Sequence, residues 1–336
     1  MDSDAAAETA RVRHGGVDDP QVLDFSVDTN PERPPGLTAV HDAALSAARR
    51  YPSDGYCEFR TAAADHVGCA PTQVLPTAGG LSGIRLALSV TADPGDSVAV
   101  PEPGFGEYAR EVRLQGATPA FVAHDAILET DPADHAAVVV NTPHNPTGDA
   151  LQTGDLQRFA ERCRRAGTTL LVDEAYLGFT DRASLAGEPG TVVVRAPTKL
   201  FGLPGFRFGF AVANGDLRDR LDHARPAWAL STPAAAVGAH CLRQREFVER
   251  TREQVAAERA RLTGPLSSAY DVHPSEAPFL LLDVGERSVE SVLDRAREHD
   301  IAVRDATTFR GLDSHVRITV RSPAENDRLL DALLDE

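Results

Sequence analysis

Apolar positions along this chain follow two rhythms. Short β-branched runs bounded by turn residues predict buried strands over 97–100, 136–141, 169–173 and 191–194. Helical spacing fills the intervals, over 37–50 (with Pro52 just beyond its end), 58–67, 84–90, 105–115 and 156–166. Such alternation predicts an α/β fold, a mostly parallel sheet wrapped by helices. A further strand over 207–212 leads into a long helical stretch over 234–262. Beyond it, strands over 279–284, 301–304 and 316–320 alternate with helices over 289–299 and 325–334, the pattern of a smaller α+β unit. The expected division is an N-terminal arm over 1–50 that helps complete the small unit, a large unit over 51–232, and the small unit over 233–336. Residues 11–36 are turn-rich, with one short apolar strand and an Asn30-Pro31 turn, and an arm of that kind could close over a site. No internal repeat or low-complexity linker interrupts the chain.

Composition narrows the class. A 42% hydrophobic content over 336 residues suffices for a real core. The formal charge of −16, from 50 acids and 34 bases, disfavours nucleic acid and anionic membranes as partners. Any bound anion needs a local arginine cluster. An acidic surface also suits a high-salt interior, where the Debye length shrinks to about 3 Å near 1 M. Cys57, Cys69, Cys163 and Cys241 show neither CxxC spacing nor a secreted framework, and are expected to be reduced thiols. The eleven histidines form no metal-like pair, so no metal is expected. Met1 to Ala10 lacks an apolar core and no run nears the ~18 apolar residues of a membrane span; a soluble, cytoplasmic protein is expected.

Lys199 changes the picture most, because it is the only lysine and the other 33 of the 34 basic side chains are arginine. A guanidinium cannot form an imine with an aldehyde; an amine can. Strand ends and the loops after them carry ligand sites in α/β folds, and the remaining candidates lie there. Asn145 follows the strand over 136–141, Asp173 ends a strand with Tyr176 three residues on, and Arg207 stands eight residues after Lys199. Gly79-Gly80-Leu81 opens a helix, where backbone amides and the positive helix end can meet a phosphate. No Gly-Lys-Ser/Thr follows, and the spacing is not that of a dinucleotide fingerprint. An amine for an aldehyde, a carboxylate for a ring nitrogen, and amides with a guanidinium for a phosphate are together what pyridoxal 5'-phosphate needs.

On these residues the chain resembles the fold-type I pyridoxal phosphate enzymes of the aminotransferase superfamily, from about residue 14 to 335. The resemblance implies that Lys199 carries the cofactor as an imine and moves protons. Asp173 pairs with the ring nitrogen, and Asn145 and Tyr176 bond the ring oxygen. Phe105 stacks on the ring, while Gly79, Gly80, Leu81, Thr198 and Arg207 hold the phosphate. Tyr51 reaches it from the second subunit of a homodimer. Within the superfamily, His14-Gly15-Gly16, Leu23-Asp24-Phe25-Ser26 with Asn30-Pro31, Pro103-Gly104-Phe105 with Glu107-Tyr108, and Val316 to Ser322 look like threonine-phosphate decarboxylases of cobalamin synthesis. Histidinol-phosphate aminotransferases come next. The chain departs from the family where Thr77-Ala78-Gly79 replaces Gly-Asn-Gly and where Ala196 replaces Ser or Thr. Three functions stay open: a decarboxylase, an aminotransferase and a non-catalytic binder on the same fold. Under the decarboxylase reading His14, Asn30, Arg317 and Arg321 bind a small phosphorylated amino acid. Alternation along a strand places Arg317, Thr319 and Arg321 on one face, with the arginines about 13 Å apart.

Overall fold

The computed structural model describes residues 1–334. In chain order, α1 (Ser3–Glu8), β1 (Leu23–Asp24), α2 (Leu37–Ala47) and α3 (Cys57–Val67) precede the large sheet. That sheet takes β2 (Val74–Thr77), α4 (Gly80–Thr91), β3 (Ser97–Glu102), α5 (Glu107–Leu114), β4 (Thr118–Ala123), β5 (Ala137–Asn141), α6 (Thr153–Ala166), β6 (Thr169–Asp173), β7 (Thr191–Arg195) and β8 (Gly209–Val212). Next come α7 (Gly215–Ala224), α8 (Thr232–Leu242), α9 (Arg245–Leu266), β9 (Asp271–Val272), β10 (Phe279–Asp283), α10 (Val289–Glu298), β11 (Ile301–Ala302), β12 (Arg304–Asp305), β13 (His315–Thr319) and α11 (Pro323–Leu334).

The large sheet has seven strands in the order β2-β8-β7-β6-β5-β3-β4, with β4 to β7 mutually parallel through β3 and only the β8 contacts antiparallel. Strand alternation sorts its side chains onto two helical layers. Leu171, Val192 and Val194 face Ile84, Leu88 and Val112 of α4 and α5. Leu170, Val172 and Val193 face the other way, into the larger core with Phe159 of α6 and Phe59 of α3. The same core continues to Phe279, Leu280, Val316 and Ile318 of the second sheet, ordered β12-β13-β10-β9, so one apolar body joins both sheets.

Differences from the expected pattern have local causes. The single helix over 234–262 is two, α8 and α9, parted at Arg243 and Gln244, where amides bond back only three residues, to His240 and Cys241. Apolar spacing runs through both helices, so it did not mark the break. The segment 301–304 divides as well, since Ile301 pairs with Leu23 of the arm whereas Arg304 pairs with Arg317. Strands β2 and β4 escaped notice because each carries a proline, which the two edges of a sheet tolerate.

Candidate active site

A cavity of about 460 Å³ opens where β5, β6 and β7 end, beneath the arm and β13. Lys199 stands in it, partly buried, three residues into the loop that leaves Ala196. Burial lowers the Lys199 pKa, opposed by the carboxylates of Asp28 and Asp173. Its Nζ donates to the Tyr176 hydroxyl and lies 3.9 Å from the centre of that ring. Asp173, at the last position of β6, accepts from the Tyr108 hydroxyl at 2.7 Å and from the amide of Ala175 at 2.9 Å. Burial raises the Asp173 pKa, countered by that hydroxyl and by Lys199. Burial and their neighbouring aspartates push both phenols, Tyr108 and Tyr176, far above the ordinary range, so they serve as neutral donors. Asn145 is set by its own amide, which donates to Asn141 Oδ1 at 2.7 Å, while Asn141 Nδ2 binds the carbonyl of Asp173.

An anion cradle lies at the floor. Helix α4 begins at Gly80 with no side-chain cap, leaving first-turn amides that no helix pairs internally. Gly79 has φ of +87°, and a Cβ there would come within 2.6 Å of Arg207 Nη2. A Cβ on Gly80 would press Ala196 Cβ at 3.0 Å. Bare backbone and one guanidinium thus face the same space, joined at its rim by Leu81 and Thr198. Phe105 lines one wall, edge-on to Tyr108 and 5.8 Å from the ring of His14, which is itself bonded to Glu107 at 3.0 Å.

On the opposite wall stands Arg317, buried between the rings of Phe279 and Phe309 at 4.7 and 5.5 Å. Its Nη1 donates to Asn145 Oδ1, and its Nη2 lies 2.8 Å from Asp28 Oδ2. That same oxygen accepts from Tyr176 at 2.7 Å. Arg304 sits directly opposite Arg317 across β12 and β13 and lines the cavity. It donates to the carbonyl of Arg13 at 3.1 Å and to Thr308 Oγ1 at 2.9 Å, but among the described residues no carboxylate comes within 4.0 Å of it. Burial, then the charge of Arg317, lowers its pKa.

Two expected substrate residues lie elsewhere. Asn30 turns its amide to the carbonyl of Leu200 at 2.9 Å and to Thr251, and its own amide bonds Lys199 O, so it fastens the arm. Arg321 falls outside the cavity lining because β13 ends at Thr319. Ser322 fixes Glu325 at the start of α11, and Glu325 takes the Arg321 guanidinium at 2.8 Å. Tyr51 is 79% exposed and stacks on Trp228 at 4.5 Å, away from this cavity. Sequence reading missed Asp28, Tyr108 and Arg304. Tyr108 had a signal, three residues beyond Phe105 in the expected helix over 105–115; the other two depended on register and on the path of the arm.

The family model of aminotransferase class I and II matches residues 23–333. The chain belongs to that family. Pyridoxal phosphate is accordingly its cofactor, and the donor set just described fits that group. An aromatic amino acid aminotransferase of Mycobacteroides abscessus is 34% identical, with 91% of this chain and 90% of that protein covered. A histidinol-phosphate aminotransferase of Halobacterium salinarum is 31% identical over 96% and 93%. Among solved structures, the L-threonine-O-3-phosphate decarboxylase of Porphyromonas gingivalis superposes with a TM-score of 0.83 at 25% identity, covering 93% of this chain and 98% of that one. Among the described residues no helix is long and apolar enough to cross a membrane, and no cluster of three or more His, Cys, Asp or Glu could hold a metal ion.

Proposed function

We propose that this enzyme decarboxylates an amino acid with a distal phosphate, L-threonine O-3-phosphate, to (R)-1-amino-2-propanol O-2-phosphate. The substrate class rests on one observation, the placing of Arg304 beside Arg317 across two strands above Lys199. Like charges directly opposite in a sheet are destabilising, and among the described residues only Arg317 of the pair has a carboxylate partner. A substrate phosphate at that end offsets the remaining charge. Loss of CO2 is favoured over transamination by the arm and loop stretches that resemble the decarboxylase branch, His14-Gly15-Gly16 among them. The engagement of Arg321 by Glu325 speaks for the second reading, an aminotransferase acting on histidinol phosphate.

In this reading Lys199 carries the cofactor, Asp173 meets its ring nitrogen, Asn145 and Tyr176 its ring oxygen, and Phe105 its face. Gly79, Gly80, Leu81, Thr198 and Arg207 hold its phosphate, with Tyr51 reaching the site of a second copy. Bound there, pyridoxal phosphate supplies an aldehyde for amines and a protonated ring that accepts the electron pair released at the substrate Cα. Burial favours the neutral amine of Lys199, the form that attacks a carbonyl. Lys199, freed when a substrate enters as its ammonium, would keep the proton that the ammonium gives up and hold it beside the Tyr176 hydroxyl. From there it would deliver that proton to the substrate Cα in place of the carboxylate lost as CO2. Tyr108 keeps Asp173 in place throughout.

Incubation with O-phosphothreonine should yield CO2 and 1-amino-2-propanol phosphate in equal amounts. The Lys199→Arg variant should form neither and retain no cofactor after borohydride reduction. Transamination of histidinol phosphate by the unmodified protein without CO2 release would transfer the assignment to the second reading.

A further inference from the structure

A second cavity, of about 430 Å³, lies at the carboxyl ends of β3 and β4, behind the wall that Phe105 and Tyr108 give the first. Open α/β sheets place ligands at such ends. Its floor is apolar, built from Val100 and Pro101 of β3, Ala109 of α5 and Phe121 of β4. The arm forms one side, where Val12 seats against Gly106 so closely that a Cβ on the glycine would come within 3.0 Å of Val12 Cγ1. Arg110 holds the arm at the carbonyl of Ala10, at 3.2 Å, and Arg304 holds it at that of Arg13, at 3.1 Å. The loop after β12 forms the other side with Thr308 and Arg310.

Charge singles this cavity out. Arg13, Arg113 and Arg310 line it, and among the described residues no carboxylate does. In a chain of 50 acids and 34 bases, that inverts the overall sign. The guanidinium of Arg310 lies 4.4 Å from the centre of the Phe121 ring and that of Arg113 lies 6.0 Å from it, so the aromatic floor holds both cations. Arg310 also meets Glu102 at 2.9 Å. Among the described residues, neither Arg13 nor Arg113 has a carboxylate within 4.0 Å. Two uncompensated positive charges beside an apolar floor match a dianion carried on an apolar body.

We propose that this cavity is a second anion site, which takes a phosphate monoester with its phosphate on Arg13 and Arg113 and its apolar group on Phe121. The volume falls within the range of about 300–1,000 Å³ usual for small-molecule sites. Its occupant is independent of the reaction at Lys199.

Phenyl phosphate is the probe, titrated by calorimetry into holoenzyme whose cofactor has been fixed to the chain with borohydride, so that the cofactor's own phosphate cradle stays filled. Arg113 lines the second cavity alone and Arg304 the first alone, so Arg113→Gln and Arg304→Gln separate the two. One phenyl phosphate per chain should bind with an affinity that falls at least about tenfold in Arg113→Gln, the worth of one charge-assisted hydrogen bond. The same affinity should stay within about twofold in Arg304→Gln. Phenyl phosphate should also bind about tenfold more tightly than inorganic phosphate, because its ring buries apolar surface on Phe121. Binding that is lost in Arg304→Gln and kept in Arg113→Gln puts the probe in the substrate cavity and overturns the proposal. Equal affinity for inorganic phosphate makes the arginines surface charge alone and overturns it too, as does the absence of any binding.

Discussion

Arg304 and Arg321 exchange roles between sequence and structure, and the exchange can be measured. Both arginines stand four residues or fewer from an end of a short strand, but only Arg304 reaches the cavity, while Arg321 is drawn off by Glu325 and by the carbonyl of Asp24. Replacing Arg304 by Gln should raise the KM for a phosphorylated substrate, with a loss in kcat/KM of about 1.5 to 3 kcal/mol, the range of a hydrogen bond to a charged group. Arg321→Gly should leave KM within about twofold and instead lower the melting temperature, because a partly buried pair at the start of α11 is lost. Steady-state kinetics on the two variants side by side decides the matter, and the opposite pattern would restore Arg321 to the site. At this scale Lys199, Asp173, Asn145 and Arg207 were legible because Asp173 ends a strand and the others stand in the loops next to strands. Asp28 was not, since its neighbours Tyr176 and Arg317 are 148 and 289 positions away and no local pattern encodes such distances.

Among the elements, the turn after β5 shows how a loop is made rigid enough to hold a site. His144 bonds Thr147 Oγ1 at 2.9 Å and the carbonyl of Pro103 at 3.0 Å, tying the turn that carries Asn145 to the loop that carries Phe105. Its ring also stacks on His124 at 4.4 Å. Burial, then the nearby His124, lowers its pKa to about 3. Unfolded, the same imidazole titrates near 6.5. As pH falls below about 6.5 the unfolded chain gains a proton the native one refuses, so stability is lost progressively until about pH 3. The slope approaches ~1.4 kcal/mol per pH unit for one such group. His144→Gln should start less stable and show a shallower acid limb in urea titrations between these limits; an unaltered slope would mean that His144 is not held neutral. Periodicity revealed the strands before these loops, since burial on both faces leaves continuous apolar runs. It gave no warning of the break between α8 and α9, where only hydrogen bonding changes.

For the whole molecule, charge and assembly meet at Tyr51. Tyr51 and Trp228 form an exposed stacked pair, with Arg225 beside it paired to Asp54 at 3.0 Å and Asp54 accepting from the Trp228 amide. An aromatic pair half open to water is the kind of feature that closed two-fold dimers cover. If Tyr51 completes the phosphate cradle of a second copy, activity requires the dimer. Each copy carries a formal charge of −16, so two copies repel, and the repulsion is long-ranged when salt is low: the Debye length is about 30 Å at 0.01 M and about 3 Å at 1 M. Association should therefore weaken as salt is removed. Light scattering should report dimers near 1 M salt and a growing monomer fraction near 0.01 M, with cofactor released in step. Tyr51→Ala should lower cofactor affinity roughly tenfold, equivalent to about 1.4 kcal/mol, at salt concentrations where the dimer persists. A monomer that binds cofactor and turns over at the full rate in low salt would separate Tyr51 from the site and leave the stacked pair as surface alone.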